Sequence, residues 1–456
     1  MRLYLTYFLS LLVILVVCFF IFDIDRFGFF ELSSCLLFIV LSIIAYSNFK
    51  YFLPISIFIL IGLPSNINNI MPSLEIGYNY ERGYSLYPII YAIELFFYFG
   101  VLVHHKKLNF KFNSPILLIP LIYVPVALIY HILLEKTDLH LAIFISGLWQ
   151  ARMIIILLIL GSSVKNVNQI NSALIFSALF LIIESFVYSK LNSKIELTSG
   201  SLGTNSFANL IAATSFLVYY KSNYSKMLRT IILLTFGLAI LMADTRSALA
   251  APLLIVIFQI YKSIGSRHKL TLLTSVIASL YLAIDLDAIH NTITYIDKVY
   301  EILSSSDTFI NSGLINSTNS SIFTRLILFK TSIMMFLDNI ILGIGPNLWN
   351  IEKYNYGFNE YVLIDSHNGY LSLISQYGIF GLLIIYHLIR AILPSKRIQK
   401  KYIGMTLFLF SLLLTELSNA GSNKVQIFSA LILTSTILSK TNKNENCDFR
   451  IKRYPK

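Results

Sequence analysis

The sequence predicts an all-α, polytopic membrane protein. The 456-residue chain is 56% hydrophobic and only 13% charged, and its mean hydropathy is +0.72. Soluble domains carry about twice that share of charged residues, so the composition excludes a water-soluble globular enzyme. Apolar runs of about 20 residues, the length of a membrane-spanning helix, follow one another through most of the chain. We therefore expect a transmembrane helical bundle of about 12–14 spans.

The apolar runs divide into about fourteen candidate spans, which are joined mostly by short polar connections. The third and ninth are short for a full crossing. The spans are predicted at residues 3–22, 28–46, 51–64, 86–104, 115–134, 141–160, 172–188, 205–220, 230–243, 247–261, 270–284, 369–390, 402–416 and 425–439.

The distribution of basic residues predicts that both termini are cytoplasmic. With the N-terminus inside, about two thirds of the 35 Lys and Arg residues fall on the cytoplasmic side, including those of the basic tail at 441–456. The net charge of +12 then reflects topology, and we expect membrane lipids but no nucleic acid as partners. The three cysteines are too scattered for a disulfide framework or a metal site, and the first apolar run lacks a signal-peptide cleavage site.

One predicted outer connection, residues 285–368, is far longer than the others. Loops of this length are usually functional. Its second half, residues 322–344, is apolar but carries Arg325, Lys330 and Asp338. A full crossing there would also turn the basic residues between Arg390 and Lys401 outward. We therefore expect an amphipathic helix lying against the outer leaflet.

Three outward-facing positions have side chains suited to a lipid diphosphate. Arg246 lies in a tight turn between two spans, Arg325 lies in the amphipathic helix, and His367 directly precedes the twelfth span. Arginine binds phosphate oxygens through a bidentate fork, and histidine accepts a proton near neutral pH. Each residue also has a structural interpretation: Arg246 as a headgroup anchor, Arg325 as part of a solvated helix face, and His367 as an interfacial histidine.

Other charges are predicted within the membrane. Arg152 lies in the sixth span, and Glu94 and Glu184 lie in the fourth and seventh. Intramembrane charges are candidates for function, and the alternative is a buried structural ion pair. No Gly-x-x-x-x-Gly-Lys phosphate-binding loop occurs in the sequence.

The order of these motifs resembles the O-antigen ligase and O-antigen polymerase superfamily of bacterial membrane glycosyltransferases. The matching blocks are Thr-Arg-Ser-Ala at 245–248, Arg-Leu at 325–326, Leu-Gly-Ile-Gly-Pro at 342–346 and Ser-His-Asn-Gly-Tyr-Leu at 366–371, followed by Gly378-Ile-x-Gly381. A Gly/Asn-containing segment at 203–209 also resembles the family. The resemblance covers residues 201–440, whereas residues 1–200 match only as generic membrane helices.

The resemblance implies a transfer that needs no metal, nucleotide or other cofactor, with its active site at the periplasmic face of the bacterial inner membrane. The donor would be a glycan on undecaprenyl diphosphate. Arg246 and Arg325 would bind the diphosphate and offset its growing negative charge, and His367 would be the general base. Asp365 and Asn368 would support His367 or the sugar.

Three functions stay open on this sequence. A polymerase would join lipid-linked repeat units into O-antigen or capsular polysaccharide, with a second lipid-linked glycan as acceptor and a chain-length regulator as a further candidate partner. A ligase would transfer the glycan to lipid A–core. A lipid-linked oligosaccharide flippase would show repeated halves and midplane broken helices, and the sequence shows neither, which favours an enzyme. We favour the polymerase, because nothing identifies a site for lipid A–core.

Overall fold

A computed structural model of the chain describes about two fifths of its residues, and all of the regular secondary structure among them is helical. This confirms the predicted all-α class for the described part of the chain. The structure describes residues 40–62, 97–107, 122–123, 126, 129, 167–191, 203–221, 224–243, 245, 248, 255, 321–345, 349–356, 368–392, 402–417, 427–428 and 430–439.

The described helices coincide in position with predicted spans, apart from those in the long outer connection. The helices are α1 Phe52–Ile61, α2 Val167–Leu191, α3 Gly203–Tyr219, α4 Lys226–Met242, α5 Ser321–Asp338, α6 Trp349–Glu352, α7 Gly369–Tyr377, α8 Ile379–Ile392, α9 Ile403–Thr415 and α10 Ala430–Ser439. Residues 40–47 and 97–104 are also helical. Short 3₁₀ turns, Phe49–Tyr51 and Lys353–Tyr356, precede α1 and follow α6.

Helix α3 is the centre of the described bundle and packs against α2, α4 and α9, while α2 also packs against α1. A short connection joins α3 to α4, and Ser225 caps α4 by accepting a hydrogen bond from Leu228 N at 3.2 Å. Near the start of α9, a Cβ atom on Gly404 would lie 3.3 Å from Phe216 O, near the end of α3. Helices α4 and α9 therefore both run antiparallel to α3, and both end beside its N-terminus.

Small polar residues lie inside the bundle among the apolar core, and large apolar residues also cover its outer surface. Ser177 and Thr214 are buried, and their hydroxyls donate to Ala173 O and Leu210 O one turn earlier, at 2.8 and 2.7 Å. The outer face of α4 exposes apolar side chains on successive turns, namely Ile231, Leu234, Leu238 and Leu241. Small residues at helix contacts and apolar residues on the outer surface are typical of helices packed in lipid.

By length and composition, Asn168–Phe186 within α2 is the one described helix that could cross a membrane, and the other apolar helices span 10–17 residues. The number of spans stays a prediction.

The predicted twelfth span, residues 369–390, is not a single helix. It is divided into α7 and α8 at Gly378, whose φ of +58° leaves the helical region. A continuous helix was the wrong expectation here, because an apolar pattern does not show that one residue adopts a left-handed conformation.

The amphipathic helix predicted at 322–344 is α5, which ends earlier, at Asp338. One face of α5 is buried and includes Leu328, Ser332 and Met335, and the helix packs against α7. The following segment packs back on it, because Trp349 Nε1 donates to Ser332 Oγ at 3.2 Å. The location of α5 at the outer leaflet stays a prediction.

Candidate functional site

Two glycine-containing motifs of the sequence meet in the structure. The backbone that follows α5 lies against the end of α7, and we call this contact, formed by residues 340–345 and 375–379, the glycine junction. Ile344 N donates to Ser375 O at 2.9 Å, and Gly345 N donates to Gln376 O at 3.0 Å. In the opposite direction, Ile379 N donates to Ile340 O at 2.8 Å. The junction thus joins two segments that are more than 30 residues apart in sequence.

Close backbone contact explains why two of the junction positions are glycine. Gly343 and Gly378 have φ angles of +67° and +58°, where a side chain is strained. A Cβ atom on Gly343 would lie 2.6 Å from Gly378 N, and one on Gly378 would lie 2.6 Å from Gly343 N. The buried Tyr123 completes the junction, since its hydroxyl donates to Leu342 O at 2.8 Å. These glycines therefore have a structural role.

Helices α5 and α7 pack together and both end at the glycine junction. Their N-terminal halves consequently extend from the junction in the same direction. Arg325 is the fifth residue of α5, so its backbone lies towards the end at which α7 begins. Its side chain lies outside the described residues.

The start of α7 is fixed by Asn368. The Asn368 side chain accepts a hydrogen bond from Leu371 N at 3.0 Å, which caps the helix. Its amide nitrogen donates to Leu417 O at 3.1 Å, just beyond the end of α9. Gly369 N donates to Glu416 O at 2.7 Å in the same place. Asn368 thus holds the backbone directly after His367, while His367 and Asp365 lie outside the described residues.

The Thr-Arg-Ser-Ala block begins beside the start of α3. Thr245 is buried, and its hydroxyl lies 3.3 Å from Asn205 Oδ1 and 3.1 Å from Ala243 O, both of which can accept its proton. Ala248 N donates to Thr245 O at 3.2 Å. Arg246 lies outside the described residues, but the residue directly before it is fixed against the first turns of α3.

These segments lie at one end of the bundle. The start of α3 lies beside the end of α4. Helix α9 packs antiparallel on α3 and therefore ends towards the same end of the bundle, where the start of α7 is hydrogen-bonded to the end of α9. We call this the motif end and define it by Asn205, Thr245, Asn368 and Glu416. The direct neighbours of Arg246 and His367 are therefore on the same end of the bundle.

The motif end contains buried polar residues for which the sequence predicted no individual role. Ser206, Asn209 and Glu416 are each less than 5% exposed. The Glu416 carboxylate interacts electrostatically with Tyr370, in the first turn of α7. Their position was the available signal: Ser206 and Asn209 belong to the family-like segment at 203–209, and Glu416 is the last residue of the predicted span 402–416.

The opposite end of the same helices is basic. Lys221 Nζ donates to Asn168 O at 3.0 Å and to Ser172 Oγ, and Arg229 Nη2 donates to Lys221 O at 2.9 Å. Burial lowers the pKa of the Lys221 amine. These bonds connect α2, α3 and α4 at the end that the sequence predicts to be cytoplasmic.

The predicted intramembrane charges are described in part. Glu184 is 2% exposed within α2, whereas Glu94 and Arg152 lie outside the described residues. Within the described part of the chain, no group of three or more His, Cys, Asp or Glu residues could hold a metal ion.

One region of the chain matches a known protein family. Residues 231–386 match the family model described as O-antigen ligase. This range includes Arg246, Arg325 and His367 and lies within the 201–440 region that the motifs indicated. It confirms the resemblance to the O-antigen ligase and polymerase superfamily and implies a glycosyltransferase-like activity. No curated protein matches the chain.

Proposed function

We propose that this chain, whose residues 231–386 belong to the O-antigen ligase and polymerase superfamily, is a membrane glycosyltransferase. It polymerises undecaprenyl-diphosphate-linked oligosaccharide units into O-antigen or capsular polysaccharide at the periplasmic face of the bacterial inner membrane. One observation carries the proposal: Thr245 and Asn368, the direct neighbours of Arg246 and His367, lie at the same end of the helical bundle.

The proposed reaction is an inverting displacement at the sugar carbon that bears the diphosphate. The acceptor hydroxyl oxygen forms the new bond to this carbon, and the bond between the carbon and the diphosphate oxygen breaks. His367 takes the hydroxyl proton, and the leaving diphosphate keeps the electron pair. Arg246 and Arg325 offset its charge. The donor is already activated by its leaving group, so the reaction requires no ATP.

The described contacts suit these roles. His367 must stay at a fixed position to act as a base, and Asn368 holds the adjacent backbone through three hydrogen bonds that involve α7 and α9. Arg246 likewise follows a residue that is held in place: the Thr245 hydroxyl contacts Asn205 Oδ1 and Ala243 O. Asp365 is assigned to orienting His367, and Arg152 is retained as a supporting residue outside the family motifs.

The proposed topology places the motif end in the periplasm. The apolar outer faces of α4 and α8 support a lipid environment, and the basic residues Lys221 and Arg229 lie at the opposite end, as the positive-inside rule requires. Both termini are assigned to the cytoplasm, with residues 441–456 as a basic tail and residues 285–368 as the periplasmic loop.

A ligase that transfers the glycan to lipid A–core is the second candidate, because the matching family is described as O-antigen ligase. Deletion of the gene followed by gel analysis of surface polysaccharide separates the two. Loss of long chains with a single repeat still attached to lipid A–core indicates the polymerase. Bare core with glycan accumulating on the lipid carrier indicates the ligase, and unchanged surface glycan contradicts both.

Arg246→Lys is expected to lower transfer by at least about tenfold, because lysine keeps the charge but loses the planar fork that binds two phosphate oxygens. A tenfold loss corresponds to about 1.4 kcal/mol of transition-state stabilisation. The measurement is turnover of lipid-linked oligosaccharide by purified protein. Arg229→Lys, the same change at the opposite end of the bundle, is the control and should retain normal turnover. Normal turnover in both variants would instead indicate that Arg246 only anchors a helix end at the lipid headgroups.

Cysteine labelling tests the topology. In a chain that keeps Cys447 as its only native cysteine, Ser312→Cys and Asn359→Cys are expected to react with a membrane-impermeant thiol reagent added to the periplasmic side. Both lie on the side poor in basic residues. Cys447, in the predicted cytoplasmic tail, should react only after the inner membrane is permeabilised. Labelling of Cys447 first, with the introduced cysteines protected, would reverse the orientation.

A further inference from the structure

Asn209 is a buried amide with an unused acceptor. The residue is 3% exposed, in the second turn of α3, and its Oδ1 has no hydrogen-bond partner among the residues that the structure describes. Buried side-chain polar atoms are nearly always hydrogen-bonded, since leaving one unpaired is costly. A ligand bound beside the proposed active site would supply a partner for this Asn209 Oδ1 acceptor.

The position of Asn209 connects it to the motif end. Asn205 precedes it by four residues, so the two amides lie on the same face of α3, about 6 Å apart along the helix axis. Side chains in a helix tilt towards its N-terminus, which directs Asn209 towards Asn205. Asn205 is exposed and contacts Thr245, the residue before Arg246.

We infer that Asn205 and Asn209 form a subsite for a sugar ring of the lipid-linked glycan, beside the diphosphate position. This inference rests on the proposed function and adds to it a site that recognises a sugar of the glycan. Asn205 lies at the open side of the subsite, and Asn209 supplies a deeper amide.

The chemistry of the subsite suits a neutral, hydroxyl-bearing ligand. An amide offers one acceptor and two donors, so it pairs with sugar hydroxyl or acetamido groups. Asn205, Asn209 and Thr245 carry no charge, and a charged ligand would lack a counter-ion among them. The adjacency of Thr245 to Arg246 favours the sugar next to the donor diphosphate over the acceptor sugar.

Binding measurements test this subsite independently of turnover. Purified protein in nanodiscs is titrated with bare undecaprenyl diphosphate, with undecaprenyl diphosphate carrying one oligosaccharide unit, and with the free oligosaccharide. We expect the natural chain to bind the glycan-bearing lipid at least tenfold more tightly than the bare lipid. Asn209→Ala and Asn205→Ala should each reduce this preference by at least fivefold without changing affinity for the bare lipid.

Asn171→Ala is the matched control. The Asn171 Oδ1 is also buried without a hydrogen-bond partner among the described residues, but Asn171 lies near the start of α2, at the Lys221 end of the bundle. Its substitution should leave the glycan preference unchanged. Because Asn205 is exposed, its variant provides the test even when Asn209→Ala does not fold.

The outcomes separate the subsite from the proposed function. A natural chain that binds bare and glycan-bearing lipid equally has no such subsite, although recognition of the carrier stands. An unchanged preference in Asn205→Ala, with the variant folded, also overturns the subsite. Loss of binding to the free oligosaccharide alone would assign the two amides to the acceptor sugar and contradict the donor assignment. A natural chain that binds neither lipid would contradict the proposed function itself.

Discussion

Substitution of His367 by alanine is expected to lower glycan transfer by about 10²- to 10⁴-fold, the usual contribution of a positioned general base. The variant should still fold and insert, because the loss of one side chain from the segment before α7 removes little packing from a large helical bundle. Binding of the donor should persist, since the diphosphate is assigned to Arg246 and Arg325. The measurement compares turnover and donor affinity in the same purified preparation.

A matched control distinguishes loss of the general base from a nonspecific effect of replacing a histidine. His290→Ala makes the same change within the predicted 285–368 loop but outside the matching motif, and it should retain normal turnover. Normal turnover in His367→Ala would contradict the general-base assignment, and catalysis would then depend on the arginines and on substrate orientation. Loss of donor binding in this variant would place His367 at the diphosphate instead.

Substitution of Gly378 by alanine is expected to destabilise the protein by roughly 3 kcal/mol or more. The new Cβ atom would lie 2.6 Å from Gly343 N and 2.7 Å from Ile341 C, and φ at this position is +58°. Backbone atoms cannot move aside as a flexible side chain can, so the segments must separate. Separation would break the hydrogen bonds of Ile344, Gly345 and Ile379 across the glycine junction.

The appropriate control is Gly237→Ala. Gly237 lies within α4, and a Cβ atom there would meet nothing within 4 Å, so stability should change by less than about 1 kcal/mol. Thermal unfolding of both variants in detergent, together with their amounts in the membrane fraction, provides the comparison. Equal stability of the two variants would show that the junction is not as closely packed as described.

Periodicity and composition predicted most of the described helices. Residues 205–220, 230–243 and 402–416 were predicted spans, and α3, α4 and α9 lie there. This succeeded because a helix in lipid needs a continuous apolar run, which a single sequence displays directly.

The break at Gly378 could not be predicted in the same way. Glycine occurs within apolar helices, as at Gly237, and also where the chain adopts a positive φ. The difference depends on the backbone of residues 340–343, which approaches from a distant part of the sequence. Tertiary contact therefore decides the conformation, and the local pattern around Gly378 does not contain it.

The candidate site was predicted in terms of residue types, whereas the structure adds the scaffold. Arg246, Arg325 and His367 were chosen for their chemistry and for the family resemblance, and their roles stay predictions. Asn368 was predicted to support His367 or the sugar, and the described contacts show that it caps α7 and binds the backbone beyond α9. Asn209 lies in the 203–209 segment that resembles the family, but no role was predicted for it, because burial of an amide depends on packing that a sequence does not reveal.

The most direct test of the proposed activity is transfer by the purified protein alone. The protein is reconstituted in vesicles with one radiolabelled undecaprenyl-diphosphate-linked repeat unit, and both the glycan length and the released undecaprenyl diphosphate are measured. We predict lipid-linked glycans of two or more repeats, with one undecaprenyl diphosphate released for each bond formed. Transfer only after lipid A–core is added would identify the ligase, and no transfer to either acceptor, in a preparation that is folded and inserted, would contradict the account.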